Sequence, residues 1–155
     1  MSGIKKKLKL FQKQLAGYKR VSLDSSCFIY QLNDHPRFGE LTHELFRSIE
    51  QGQMTAVTSP ISIVEVFVRP EEEGDLELIK QYEELFLHFP NLEIAPLDWQ
   101  RSRLASQFRA RYALRTPDAI QLAVAKQALA EAFITNDDKL KKCREIEVLV
   151  LGDFV

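Results

Sequence analysis

Four carboxylates stand at points where a short apolar run ends or a helix begins. They are Asp24 in Val21-Ser22-Leu23-Asp24-Ser25-Ser26, Glu65 in Ser62-Ile63-Val64-Glu65, Asp118 in Thr116-Pro117-Asp118, and Asp137 in Phe133-Ile134-Thr135-Asn136-Asp137. Taken singly, three of them have a structural explanation. Asp24 and Asp137 can cap the helices that follow. Asp118, just after a threonine N-cap and a proline, favours the positive end of a helix. Glu65 is harder to explain this way. Apolar residues surround it from Ile61 to Val68, which predicts a mostly buried helix, and a carboxylate there is costly unless it is paired or binds a cation.

As a set the four say more. Asp24 and Asp137 each close a predicted strand at its C-terminal end, where open α/β sheets build their sites. Glu65 and Asp118 fall in the first turns of helices that can face the same crevice. Carboxylates gathered there repel one another unless protons or divalent cations compensate. Oxygen-only ligands select Mg2+ or Mn2+ rather than zinc. Such a cluster suits phosphodiester hydrolysis, because a bound metal lowers the pKa of an attacking water and steadies charge on the leaving oxygen.

The elements that must position these acids alternate along the chain. Strands are predicted at 20–24, 55–58, 92–97, 133–135 and 148–151. Helices are predicted at 27–32, 40–51, from Ser59-Pro60 to about 68, at 75–89, 99–112, from Thr116-Pro117 to about 132, and at 139–143. Pro70 is expected to end the helix that carries Glu65, with Glu71, Glu72, Glu73 and Gly74 forming a solvated turn. Strands alternating with helices imply parallel pairing and right-handed crossovers, hence a three-layer α/β domain.

Before the first strand, Ile4, Leu8, Phe11, Leu15 and Tyr18 recur at spacings of 4, 3, 4 and 3 among lysines, the pattern of a basic amphipathic helix. Three roles are open to it: docking on the body or a sister subunit, lying on a membrane surface, or contacting RNA as an arm. The expected organisation is this helix over 1–20 and one catalytic domain over 21–155. The 155 residues suffice for a real core, and 45% hydrophobic with 28% charged residues fits a globular protein rather than a disordered one.

The net charge of −1 conceals an asymmetry. Residues 1–20 hold seven basic side chains and no acid, leaving 14 basic against 22 acidic residues in the remainder, a formal −8. An acidic body must meet a polyanion through local basic patches or bound cations. Cys27 and Cys143 are far apart and form no CxxC pair, so buried thiols in a reducing compartment are expected. His35, His43 and His88 fall in no metal-ligand spacing. No run is long enough to span a membrane, and the start lacks the apolar core of a signal peptide, which together predict a cytoplasmic protein.

The segments containing the four acids, with Leu114-Arg115-Thr116-Pro117-Asp118-Ala119-Ile120-Gln121-Leu122-Ala123 as the most specific, resemble the four motifs of PIN-domain nucleases, particularly the VapC-type toxins. Their separations also match: 41 residues from Asp24 to Glu65, 53 to Asp118 and 19 to Asp137. The resemblance covers about 21–155. It implies a central parallel sheet of order 3-2-1-4-5 in an α/β/α sandwich, and a metal site between strands one and four. It also implies Mg2+- or Mn2+-dependent endonuclease activity on RNA. By motif position Asp24, Glu65, Asp118 and Asp137 would be the metal ligands, Ser25 and Thr135 would orient ligands or water, and Asn136 would donate from behind them. The basic arm departs from the pattern, since many such toxins begin almost at the first strand.

Five arginines and no acid lie between Trp99 and Pro117, which offers a grip for RNA phosphates or simply a solvated helix face. Arg115 and Arg111 are the candidate substrate contacts. Trp99 and Phe108 are read as core, with base stacking the alternative. The expected partners are RNA, a small antitoxin protein and a second copy of the chain in a homodimer. A non-toxin PIN module that processes RNA, or binds it or a protein without cutting, is the alternative. No GxGxxG or P-loop supports nucleotide binding.

Overall fold

The computed structural model describes residues 3–155. Its strands are β1 (Arg20–Leu23), β2 (Thr55–Thr58), β3 (Leu92–Ile94), β4 (Ala132–Thr135) and β5 (Glu147–Val150). They form one parallel sheet in the order β3-β2-β1-β4-β5. The helices are α1 (Gly3–Ala16), α2 (Ser25–Leu32), α3 (Gly39–Glu50), α4 (Pro60–Glu73), α5 (Leu76–His88), α6 (Trp99–Tyr112) and α7 (Thr116–Gln127). Short 3-10 turns occupy Asp138–Lys142 and Leu151–Phe154. Strand order reverses beside β1, whose neighbours are β2 on one edge and β4 on the other, so a crevice opens at the C-terminal ends of β1 and β4.

The strands are short and apolar because helices cover both faces. Successive side chains point to opposite faces, and β4 shows the division. Ile134 joins Val21, Leu23, Phe28, Phe46 and Ile49 in one core. Phe133 joins Val57, Phe108, Leu122 and Val124 in the other. Helix α1 docks on the first core through Phe11 and Leu15, and Tyr18, just past its end, is buried there too. Cys27 and Cys143 are buried free thiols. Among the described residues no helix is long and apolar enough to cross a membrane.

A buried hydrogen-bonded chain sits beneath the crevice. The Thr58 hydroxyl lies 2.8 Å from the Leu23 carbonyl oxygen and 2.7 Å from the Ser62 hydroxyl. The Gln121 amide nitrogen donates to Ser62 Oγ at 2.8 Å, and Ser59 Oγ donates to Gln121 Oε1 at 2.6 Å. The chain ties the end of β1 to β2, α4 and α7, and so joins three of the segments that carry the acids, β1, α4 and α7.

Several details differ from the expectations. Helix α4 continues through Pro70 to Glu73, so the three glutamates are helical. Proline's fixed φ suits a helix, and the structure tolerates the missing N–H. Closure comes one turn later at Gly74 (φ 64), where Gly74 N donates to Glu71 O and Asp75 N to Pro70 O. Helix α4 also buries Ser62, Val66 and Pro70 and turns Val64 (62% exposed) and Glu65 outward. The apolar sequence therefore did not mark a mostly buried helix. Helix α7 starts one residue earlier than expected, with Arg115 rather than Thr116 at its N-cap, and no side chain caps it. It ends at Gln127, freeing Ala132 for β4. Trp99 is 78% exposed while Phe108 is buried. Nine residues are about two and a half turns, which puts the two on opposite sides of α6.

Candidate active site

Asp24 follows β1 and caps α2. Its backbone N–H extends the ladder to the Ile134 carbonyl at 3.1 Å, and its extended backbone (φ −88, ψ 177) turns the carboxylate back over the first turn of α2. Oδ1 accepts from Ser26 N at 2.9 Å and from the Ser26 hydroxyl. Oδ2 accepts from the Thr135 hydroxyl at the end of β4. The residue is half-buried. Burial raises its pKa to about 6, against the lowering effect of the Ser26 and Thr135 hydrogen bonds, and the negative charge of Glu65 raises it further.

Asp137 caps the 3-10 turn after β4, accepting from Lys139 N at 3.0 Å. Its own N–H donates to Thr135 Oγ1 at 3.1 Å. One threonine hydroxyl therefore joins the Asp24 carboxylate to the backbone of Asp137. Capping and a place in the cluster coexist for both aspartates, because a cap occupies only part of a carboxylate's acceptor capacity.

Asp118 stands half-buried in the first turn of α7. Burial raises its pKa, Arg115 opposes this, Asp137 adds to it, and Lys142 opposes it. The charge of Asp137 thus bears on Asp118, and that of Glu65 on Asp24. Thr135 bonds to both aspartates that follow strands, Asp24 and Asp137. Among the described residues no three carboxylate, imidazole or thiolate side chains converge closely enough, as they stand, to hold a metal ion. In kind, however, the groups fit a hard divalent cation. The donors are all oxygen, and Asp24 is a desolvated acid whose charge its neighbours do not cancel.

The remaining candidates divide. Thr135 is fully buried and in contact with Asp24. On α2 it is Ser26, not Ser25, that binds Asp24, because an N-cap side chain reaches the second residue of the helix it caps. That geometry was readable in Asp24-Ser25-Ser26, but the motif drew attention to the first serine. Asn136 spends both ends of its amide on the scaffold: Nδ2 donates to the Tyr30 hydroxyl at 3.0 Å, and Oδ1 accepts from Gly152 N at 3.0 Å. Arg111 is ion-paired with Glu145 and lies 5.8 Å from the centre of the Tyr112 ring. Arg115 is exposed beside Asp118. Of the other three arginines, Arg101 is held by Pro96 O and Asp98, Arg103 by Ser106, and Arg109 by Leu114 O. Lys142, which the sequence did not single out, donates to Ala113 O at 3.2 Å and bears on Asp118.

The profile of the PIN domain matches residues 21–146. No sequence among curated proteins matches the chain. Among solved structures, VapBC2 from Rickettsia felis, bound to a DNA fragment from its promoter, aligns with a TM-score of 0.68 at 17% identity, over 84% of this chain and 98% of that one. A toxin–antitoxin complex from Klebsiella pneumoniae aligns with a TM-score of 0.61 at 19% identity, over 84% and 97%. FitAcB from Neisseria gonorrhoeae aligns with a TM-score of 0.61 at 17% identity, over 85% and 98%. At these identities the likeness is one of fold.

Proposed function

The chain belongs to the PIN-domain family, and from that membership we propose that it is a metal-dependent endoribonuclease acting in the cytoplasm as the toxin of a VapBC-type toxin–antitoxin pair. The observation that carries the reading is Asp24: a half-buried carboxylate at the end of the central strand, within reach of the charge of Glu65 and joined through the Thr135 hydroxyl to the backbone of Asp137. An isolated structural acid gains nothing from such neighbours. A cation-binding acid requires them.

In this reading Asp24, Glu65, Asp118 and Asp137 hold Mg2+ or Mn2+. When bound, the ion supplies a water of lowered pKa and neutralises charge on the phosphate. Ser26 and Thr135 fix the Asp24 carboxylate through three hydrogen bonds, so its oxygens need no reorientation. Ser25, at the first position of α2, offers a hydroxyl to water or substrate. Asn136 acts indirectly by holding the loop before Asp137 against α2 and Gly152. Arg115 is the first contact for the scissile phosphate. Arg111 contributes only by exchanging Glu145 for phosphate. A small antitoxin protein and a homodimeric partner belong to the same reading.

The test is cleavage of mixed RNAs with Mn2+ or Mg2+, with EDTA, and by Asp24→Asn. Cleavage should vanish with EDTA. In the variant it should fall by more than the roughly 10–100-fold that losing a mere supporting partner costs. Overexpression should arrest growth, Asp24→Asn should relieve the arrest, and co-expressed antitoxin should do the same. A second reading, an RNA- or protein-binding PIN module that does not cut, draws on the absence, among the described residues, of three converging ligands. Binding without cleavage in Mn2+ would favour it.

A further inference from the structure

If the acidic edge cuts RNA, something else must hold the polyanion, and the α6 arginines are largely committed within the fold. Helix α1 runs antiparallel to β5 towards the acidic edge, as three contacts show. Gln14 Nε2 donates to Glu147 at the start of β5 at 3.2 Å. Phe11 packs edge-on against Phe154, just past its end, with ring centres 5.1 Å apart. Lys7 Nζ donates to the Val155 backbone oxygen at 2.6 Å. Gly152, in the same final turn, donates to the side chain of Asn136, the residue before Asp137. The first turns of α1 thus reach the edge that carries the carboxylates.

Docking through Phe11 and Leu15 fixes which side of α1 faces outward. Lys6, Lys9 and Lys13, at i, i+3 and i+7, make one outward stripe. All three are exposed, and among the described residues none has an ion-pair partner. Like charges at i, i+3 and i+4 repel, so the stripe costs stability until an anion relieves it. Such an exposed cationic stripe suits a single strand, whose backbone phosphates track a positively charged surface.

We propose that Lys6, Lys9 and Lys13 of α1 form a phosphate-binding stripe for single-stranded RNA that runs along α1 and on to the acidic edge. This rests on the ribonuclease reading for its substrate. The charge asymmetry of the chain then has a use, because the basic arm supplies what a body of formal charge −8 lacks.

The test is binding of a labelled mixed-sequence oligoribonucleotide across a salt series. It compares the full chain, a Lys6→Glu/Lys9→Glu/Lys13→Glu variant and a Lys→Arg variant at the same positions. Binding is read in EDTA so that no RNA is cut. Losing three phosphate contacts should reduce the log–log salt slope by about 2, at about 0.7 per contact, and weaken binding at least tenfold at low salt. The arginine variant should bind like the parent, and both variants should melt like it. Unchanged affinity and slope in the glutamate variant overturns the proposal, as does loss of binding to anionic vesicles with RNA binding intact. A parent that cuts RNA yet shows no lysine dependence sinks the stripe and spares the nuclease. A parent that binds through the stripe but cuts nothing does the reverse.

Discussion

Replacing Asp24 with asparagine should stabilise the metal-free protein, by an amount that grows with pH. The carboxyl has a folded pKa of about 6 against an ordinary 3.8, chiefly because it is buried. A carboxyl whose pKa rises on folding holds its proton more tightly in the native state. Its contribution is therefore complete below 3.8 and lost as pH climbs through about 6. At roughly 1.4 kcal/mol per tenfold change in proton affinity, the difference between the two values is about 3 kcal/mol. For a chain of this length that corresponds to about 6–12 °C in Tm. Asparagine keeps an acceptor for Ser26 but presents Thr135 with an NH2 group, an offset of about 1 kcal/mol that does not vary with pH. The readout is therefore the change with pH: urea unfolding of both proteins in EDTA, followed by circular dichroism from pH 4 to pH 8. The variant should gain about 2.5 kcal/mol on the parent across that range, since part of the change lies below pH 4. A gap that stays flat, or closes as pH rises, would mean that the three hydrogen bonds outweigh burial and that Asp24 is an ordinary cap.

Gln121→Leu should lower stability by about 2–4 kcal/mol in urea, because the Ser59 and Ser62 hydroxyls lose their amide partner inside the protein. Gly74→Ala should cost about 1 kcal/mol for the left-handed backbone alone, since an added Cβ meets no atom within 4 Å. Phe11→Ala removes a fully buried ring and should cost about 3–5 kcal/mol. It should also speed tryptic cleavage at the lysines of α1 if that helix is held by its apolar face. Millimolar Mn2+ should raise the Tm of the parent but not that of Asp24→Asn, a direct measure of binding to the folded acid site.

Strand order and helix alternation were legible because apolar runs, proline N-termini and the motif spacing all agree in this sequence. Ser59-Pro60 and Asp98-Trp99 opened helices where expected, since capping chemistry is local. Errors arose where tertiary context decides. Pro70 looked like a terminus, but the helix is closed at Gly74, whose left-handed conformation a sequence does not display. Glu65 looked buried because its neighbours are apolar, yet only one side of α4 meets the core, and Val64 and Glu65 share the other. Trp99 looked like core by residue type and proved exposed by its place on the helix. Of the site, the acids could be named from the sequence. The use of Ser26 follows from local capping, but the linking role of Thr135 needed coordinates, because it depends on distances across strands.

The chain of bonds through Thr58, Ser59, Ser62 and Gln121 has a consequence for how this sequence can drift. Its members trade donors and acceptors inside the protein, so a change at any one orphans its neighbours. Replacing the set together with apolar residues of matching volume would cost far less, because no polar group is left behind. Single steps therefore descend into a valley that a concerted exchange avoids. Descendants of this chain should carry the polar set entire or not at all. A designer grafting the four acids onto another sheet must graft these four residues with them, or build the angle between α4 and α7 by some other means.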